Sequence, residues 1–374
     1  MNDILKNNKD RITERIYFPE LDGLRFFAFL SVFVFHQKLF AHIPYLSIVT
    51  GNGWVGVDLF FALSSFLFTK LLIAEFNKTK TISFKKFYMR RIFRIWPVYF
   101  LFIGFSIALQ LYLTGSLEKS VVIRIIGLFA FSDNIISAMY GYNTMPYIGH
   151  LWTIAYEEQF YIFIPIIILL LVRSSFKQKL VCVIAVFILF NAARFVLIVN
   201  HVPHPAIWVL PVTHFESIVL GIVTGFGGLD FLLQRFKPLA IGLVGIFFFF
   251  LVCLLPHIDH ISYWLIASYS FVGISTTLLL FSVSNSNYLK KLFSKRWIVF
   301  LGKRSYGLYV YHTLGNGVAA YITAHISILP SNALASFIYS LSFTIIVSII
   351  SYRVVETPFL KLKKKFEVII SRPI

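Results

Sequence analysis

The chain has 374 residues, of which 58% are hydrophobic and 13% charged, and a formal net charge of +18. Soluble globular chains carry about 25% charged residues, so the composition excludes a soluble domain and predicts an all-α integral membrane protein. The positive charge alone would suit a nucleic-acid partner, but its distribution between apolar spans excludes that and points to the bilayer.

The first twenty residues are polar, with Lys6, Lys9, Arg11 and Arg15, and are expected to form a cytoplasmic segment over 1–20. They run directly into an apolar span, roughly 24–45, that ends without a small-residue cleavage site, which predicts a retained first helix. Within it, Arg25 and His36 are eleven residues apart. Eleven steps of ~100° end only ~20° past three turns, so both side chains share a face, roughly 16 Å apart. Arg25 is expected at the rim and His36 near mid-bilayer. Ionisable groups at that depth cost about 2.5–3.5 kcal/mol for Arg, Lys or Asp, which makes His36 a functional-site candidate. The same spacing also fits a histidine that only hydrogen-bonds between helices.

The second span, 54–75, carries Asp58 about one turn below its outer end. Before the third, 95–114, stand Arg90, Arg91 and Arg94. On a helix 90/94 and 91/94 are neighbours and form one cationic face. Planar guanidinium groups suit phosphate, and the alternative is a topogenic cluster on lipid headgroups. The loop 115–149 holds a moderately apolar segment, Val121 to Phe131, expected to be an interfacial helix or a cap over an outward cavity. In the fourth span, 150–172, His150 and Glu157 are seven residues apart and share a face, whereas Glu158 is rotated ~100° from Glu157. If that span runs inward, Glu157 lies roughly 10–12 Å below the outer surface, level with His36. A carboxylate there would fix the imidazole tautomer and raise its basicity. A structural pair, or two separate helix–helix hydrogen bonds, fits equally.

Six further spans, 180–200, 206–228, 238–256, 262–284, 298–324 and 332–354, bring the expected total to about ten. They bring Arg194, His214, Glu216 and His312 to membrane depth. Arg194 and Glu216 can neutralise each other, and His312 is expected mainly to pack by hydrogen bonding. Lys303 and Arg304 interrupt the start of the ninth span. Cys182 and Cys253 lie in apolar stretches and suggest neither a disulfide framework nor a metal site. About 30 of the 34 Lys and Arg fall on one set of alternate loops, leaving Lys38, Lys119 and Arg124 on the other. The positive-inside rule then makes both termini cytoplasmic, with residues 358–374, which include Lys361, Lys363, Lys364, Lys365 and Arg372, as a basic tail. No internal repeat is visible, which weighs against a transporter built from inverted repeats.

Six ordered motifs resemble the membrane-bound acyltransferase-3 family, whose members O-acetylate bacterial surface sugars. They are Leu21-Asp22-Gly23-Leu24-Arg25 with its gap to His36; Gly56-Val57-Asp58-Leu59-Phe60-Phe61; and Arg91-Ile92-Phe93-Arg94-Ile95-Trp96-Pro97. His150-Leu151-Trp152-Thr153-Ile154 follows, running through Glu157-Glu158-Gln159-Phe160-Tyr161, then Leu301-Gly302-Lys303-Arg304-Ser305-Tyr306 and Glu356-Thr357-Pro358-Phe359. The chain departs from the family pattern at Leu63-Ser64-Ser65-Phe66, where Leu-Ser-Gly-Phe is usual, and at Trp152-Thr153-Ile154, where Trp-Ser-Leu is usual. The resemblance covers about residues 18–360, an acyltransferase-3-like transmembrane domain over 21–357. The chain ends about twenty residues after the tenth span, so action without a fused domain is expected.

The resemblance implies transfer of an acyl group, usually acetyl, from cytosolic acyl-CoA to a hydroxyl of a carbohydrate or lipid-linked sugar, in a bacterial inner membrane. Acyl-CoA is then a donor substrate, with no permanently bound cofactor and no metal. Arg91 and Arg94, with Arg90, would hold the CoA phosphates. Arg25 would guide the donor or stabilise charge. His36 would be general base or transient acyl carrier, and Glu157 would orient it. Asp58, His150, Trp152, Glu158, Tyr161 and His312 would support the site. Two competing functions are a proton-coupled transporter or flippase, in which a buried His/Glu pair relays protons, and a non-catalytic scaffold.

Overall fold

The computed structural model describes residues 16–37 and 43–371. Lys6, Lys9, Arg11, Arg15, Lys38 and Arg372, used above to assign sidedness, lie outside the described residues. Among the described residues the architecture is all helical. In chain order the helices are α1 (Pro19–Phe35), α2 (Pro44–Gly51), α3 (Val55–Thr79), α4 (Phe84–Thr114), α5 (Lys119–Phe129) and α6 (Asp133–Tyr140). Next come α7 (Trp152–Arg173), α8 (Phe176–Val199), α9 (Ala206–Val209), α10 (Glu216–Gly225), α11 (Asp230–Leu233) and α12 (Pro238–Cys253). The last are α13 (Trp264–Asn285), α14 (Asn287–Phe293), α15 (Arg296–Lys303), α16 (Ser305–His325), α17 (Ala333–Ser351) and α18 (Thr357–Lys363).

Among the described residues, six helical stretches are long and apolar enough to cross a membrane: 44–79, 84–114, 152–173, 176–199, 264–285 and 333–366. The protein is therefore a multi-pass membrane protein. Three expected spans differ in form. The first, 24–45, begins earlier and stops at Phe35, so His36 is the C-cap of α1 and not a mid-helix residue. The sixth, 206–228, breaks between α9 and α10, where Pro211 cannot donate a backbone hydrogen bond. The ninth divides at Arg304 into α15 and α16.

The centre of the molecule is α1 and α3, packed on each other and on α10, α13, α15 and α16. Of the 18-residue apolar window in the stretch containing α3, 67% is buried within the molecule, against 11% for that of α8, which marks α8 as peripheral. Glycines permit the closest approaches. A Cβ on Gly302 would fall on the backbone of Asp22, one on Gly23 on the carbonyl of Phe293, and one on Gly56 on the carbonyl of Ala28. Three of the motif glycines thus lock α1 against α3, α14 and α15. Ser65, where the family pattern has Gly, is accommodated because Gly221 of α10 faces it. The C-terminal segment is no free tail: α18 packs on α4, and the Phe366 carbonyl accepts a hydrogen bond from Arg90 at 2.9 Å.

Candidate functional site

Two cavities lie back to back in this helical frame, named inner and outer after the sidedness expected from the basic loops. The inner one, about 160 Å³, is lined by Asp22, Arg25, Arg91, Arg94, Glu157 and Tyr161, with Lys363 from the C-terminal segment at its edge. The outer one, about 490 Å³, is lined by His36, His150, Trp54, Trp152, Trp208 and Asn143 among others.

The inner cavity is charged, and its groups are held differently. Arg25 Nη1 stands 3.8 Å from Asp22 Oδ1, one turn back on α1. Arg94 Nη1 stands 3.5 Å from Glu356 Oε2 and is thereby tied to the segment after α17. Glu157 Oε2 accepts from Tyr161 Oη at 2.9 Å and feels the charges of Arg25 and Arg91. Arg91 lies over the ring of Phe68, 4.5 Å from its centroid, and its Nε is buried with no hydrogen-bond partner among the described residues. An unsatisfied buried guanidinium donor is costly unless an acceptor occupies the cavity. Arg90 stands outside, paired with Glu75 Oε2 at 3.3 Å and not lining the cavity. The expected three-arginine face is therefore two lining arginines and one structural one.

The outer cavity is built from imidazole and indole. His36 is exposed into it. Its Nδ1 lies 2.9 Å from the Val32 carbonyl; a carbonyl only accepts, so Nδ1 carries the proton and Nε2 is left as a base. The His36 ring lies 4.9 Å from that of His312, which lies 4.7 Å from that of His150. Nε2 of both His150 and His312 is buried with no hydrogen-bond partner among the described residues. His312, expected mainly to pack and to support the site, stands between the other two histidines. Trp54 and Trp152 meet Trp208 with ring centroids 5.0 and 5.3 Å apart, forming an aromatic wall.

The expected pairing of Glu157 with His36 does not form. Among the described residues no hydrogen bond or ion pair joins them, and each lines a different cavity. The reason is the true extent of α1: it ends at Phe35, and His36 at its cap joins His150 in the outer cavity while Arg25 joins Glu157 in the inner one. Glu158 points away, as its rotation requires, and accepts from Trp96 Nε1 at 3.4 Å.

Asp58 belongs to a clasp behind the outer cavity. Its Oδ1 accepts from His214 Nε2 at 2.9 Å and Ser217 Oγ at 2.7 Å. His214 Nδ1 lies 2.9 Å from the Trp208 carbonyl, so both ring nitrogens are held by hydrogen-bonding contacts. His214 also stacks on Trp208, with centroids 4.4 Å apart, so the clasp fixes the aromatic wall. Arg194 and Glu216 form a separate buried ion pair at 2.6 Å.

The acyltransferase domain of the acyltransferase-3 family matches residues 18–353. The chain belongs to this family. O-acetyltransferase OatA of Staphylococcus aureus strain NCTC 8325 / PS 47 is 26% identical over 370 residues, covering 92% of this chain and 57% of that protein. A protein of strain COL, named provisionally as an O-acetyltransferase, is 29% identical over 376 residues, covering 92% of this chain and 58% of its own length. The chain thus spans a little over half the length of the curated relatives it matches. No solved structure matches it.

The family motifs map onto both cavities. Arg25, Arg91, Arg94, Glu157 and Tyr161 line the inner one, and His36, His150 and Trp152 the outer one. Sequence reasoning missed Trp208, Thr153 and Tyr309 as lining residues. For Tyr309 a signal was present: it stands one turn before His312 on the same helical face. The segment Val121 to Phe131 does form a helix, α5, but the outer cavity is lined by residues after α6, including Tyr142, Asn143 and Tyr147.

Proposed function

We propose that this chain is an O-acyltransferase of the bacterial inner membrane. It moves an acyl group, acetyl in the simplest case, from cytosolic acyl-CoA to a hydroxyl of a cell-surface carbohydrate or lipid-linked sugar. The observation that carries this reading is the back-to-back pairing of a cationic cavity with an imidazole-bearing one. Family membership and the names of its relatives favour transfer over transport.

Arg91 and Arg94 bind the CoA phosphates, for which a guanidinium fork is suited. Arg25, held by Asp22, stands deeper along the donor's path, and Glu157 balances the arginines there. The acceptor sugar stacks an apolar ring face on the tryptophan wall, leaving its hydroxyl near His36. His36 Nε2 takes the hydroxyl proton as the acceptor oxygen attacks the thioester carbonyl. A C–O bond forms, the C–S bond breaks, and the CoA thiolate leaves and recovers the proton from the imidazolium. His150 and His312, each with an unpartnered Nε2, surround His36 with further acceptors for that proton.

The test is radiolabelled acetyl-CoA supplied to inverted membrane vesicles, comparing wild type with His36→Ala at matched expression. Label is expected in envelope carbohydrate with the wild type alone. Equal label in both would remove His36 from the chemistry.

A further inference from the structure

The two cavities meet at a wall made of Val57 on α3, Thr153 on α7 and Tyr309 on α16, the three residues that line both. Thr153 Oγ1 and Tyr309 Oη are hydrogen-bonded at 2.8 Å across it. Both hydroxyls also reach the His150 carbonyl, at 3.1 and 3.3 Å, so the wall is anchored to the loop that carries an outer-cavity histidine. Phe60 meets the Tyr309 ring edge-on, with centroids 6.0 Å apart. Val57, Thr153 and Tyr309 are 6%, 5% and 8% exposed, so the wall leaves little open surface between the two cavities. Glu157 and Arg91 stand on its inner side and His36 and His150 on its outer side.

If the donor enters from the inner side and the acceptor hydroxyl waits beside His36, the acyl carbon must pass this wall. We propose that Tyr309, held by Thr153 and faced by Val57, is the acyl-length filter of the transferase. The inference rests on the transfer reaction argued above and adds which residues select the donor. The tyrosine ring and the valine methyls leave a neck that admits a thioester bearing a short acyl group. A longer chain must displace the ring and break the Thr153–Tyr309 hydrogen bond. A packed apolar neck discriminates one added methylene by about 10–200-fold, and two added methylenes separate butyryl from acetyl.

The experiment measures kcat/KM with acetyl-, propionyl- and butyryl-CoA for the full chain in inverted vesicles. It compares wild type with Val57→Ala, which widens the neck, and Tyr309→Phe, which removes the hydrogen bond and keeps the ring. Wild type is expected to prefer acetyl over butyryl at least tenfold, with the preference shrinking at least tenfold in Val57→Ala and less in Tyr309→Phe. Equal use of acetyl and butyryl by the wild type overturns the filter whatever the variants do. So does an unchanged preference in a variant that still transfers acetyl. Absence of transfer from every thioester by the wild type would instead overturn the transferase reading, and the filter with it.

Discussion

The inner and outer cavities face each other through one wall, yet they are made of different chemistry. The inner cavity is lined by the cationic groups of Arg25, Arg91, Arg94 and Lys363 and the carboxyls of Asp22 and Glu157, in about 160 Å³. The outer cavity is larger, about 490 Å³, and among its lining residues only Asp259 is a fixed charge. Its polar groups are imidazoles, hydroxyls and an amide, set in tryptophan. Guanidinium stays protonated at any working pH, which suits holding an anion but not moving a proton; imidazole exchanges protons near neutrality. The division implies that changes on the inner side act on donor affinity and changes on the outer side act on turnover.

The largest expected effect is on the outer side. His36→Ala lowers kcat by about 10²–10⁴-fold, the range of general acid–base catalysis, and leaves acyl-CoA binding measured by equilibrium dialysis unaltered. Next comes the inner side. Arg91→Gln removes the guanidinium whose Nε lacks a partner and raises KM for acetyl-CoA by roughly 10–100-fold, as expected for a hydrogen bond to a charged group worth ~1.5–3 kcal/mol. A drop in kcat at constant KM in that variant would break the division. The smallest effect is at Glu158, which lines neither cavity and accepts one long hydrogen bond from Trp96. Glu158→Gln leaves kcat and KM within about twofold, because a bond at that length is weak. A large loss there would extend the inner site beyond its present boundary.

Much of this division is legible in the sequence because it rests on local helical arithmetic. Arg25 and His36 do stand on one helix and its cap, and the ~100° between Glu157 and Glu158 does send them to different surroundings. Arg194 and Glu216 were identifiable as a pair because two opposite charges at membrane depth need one another. What failed depended on the end of a helix. Polar His36-Gln37-Lys38 follows Phe35, but Leu39-Phe40-Ala41 resumes the apolar pattern, so the span is drawn past the end of α1 and the depth assigned to His36 moves with it. Arg90 and Arg94 were separated by acids far away in sequence, Glu75 and Glu356, whose proximity is set by tertiary packing. Tyr309 and Thr153 were invisible as a pair for the same reason: they are 156 positions apart and carry no charge that demands a partner.

The most direct measurement resolves kcat and KM for acetyl-CoA in the same vesicles for wild type, His36→Ala and Arg91→Gln. The two-cavity account predicts that His36→Ala loses kcat at unchanged KM and that Arg91→Gln raises KM with kcat retained. Loss of the same parameter in both variants would contradict it.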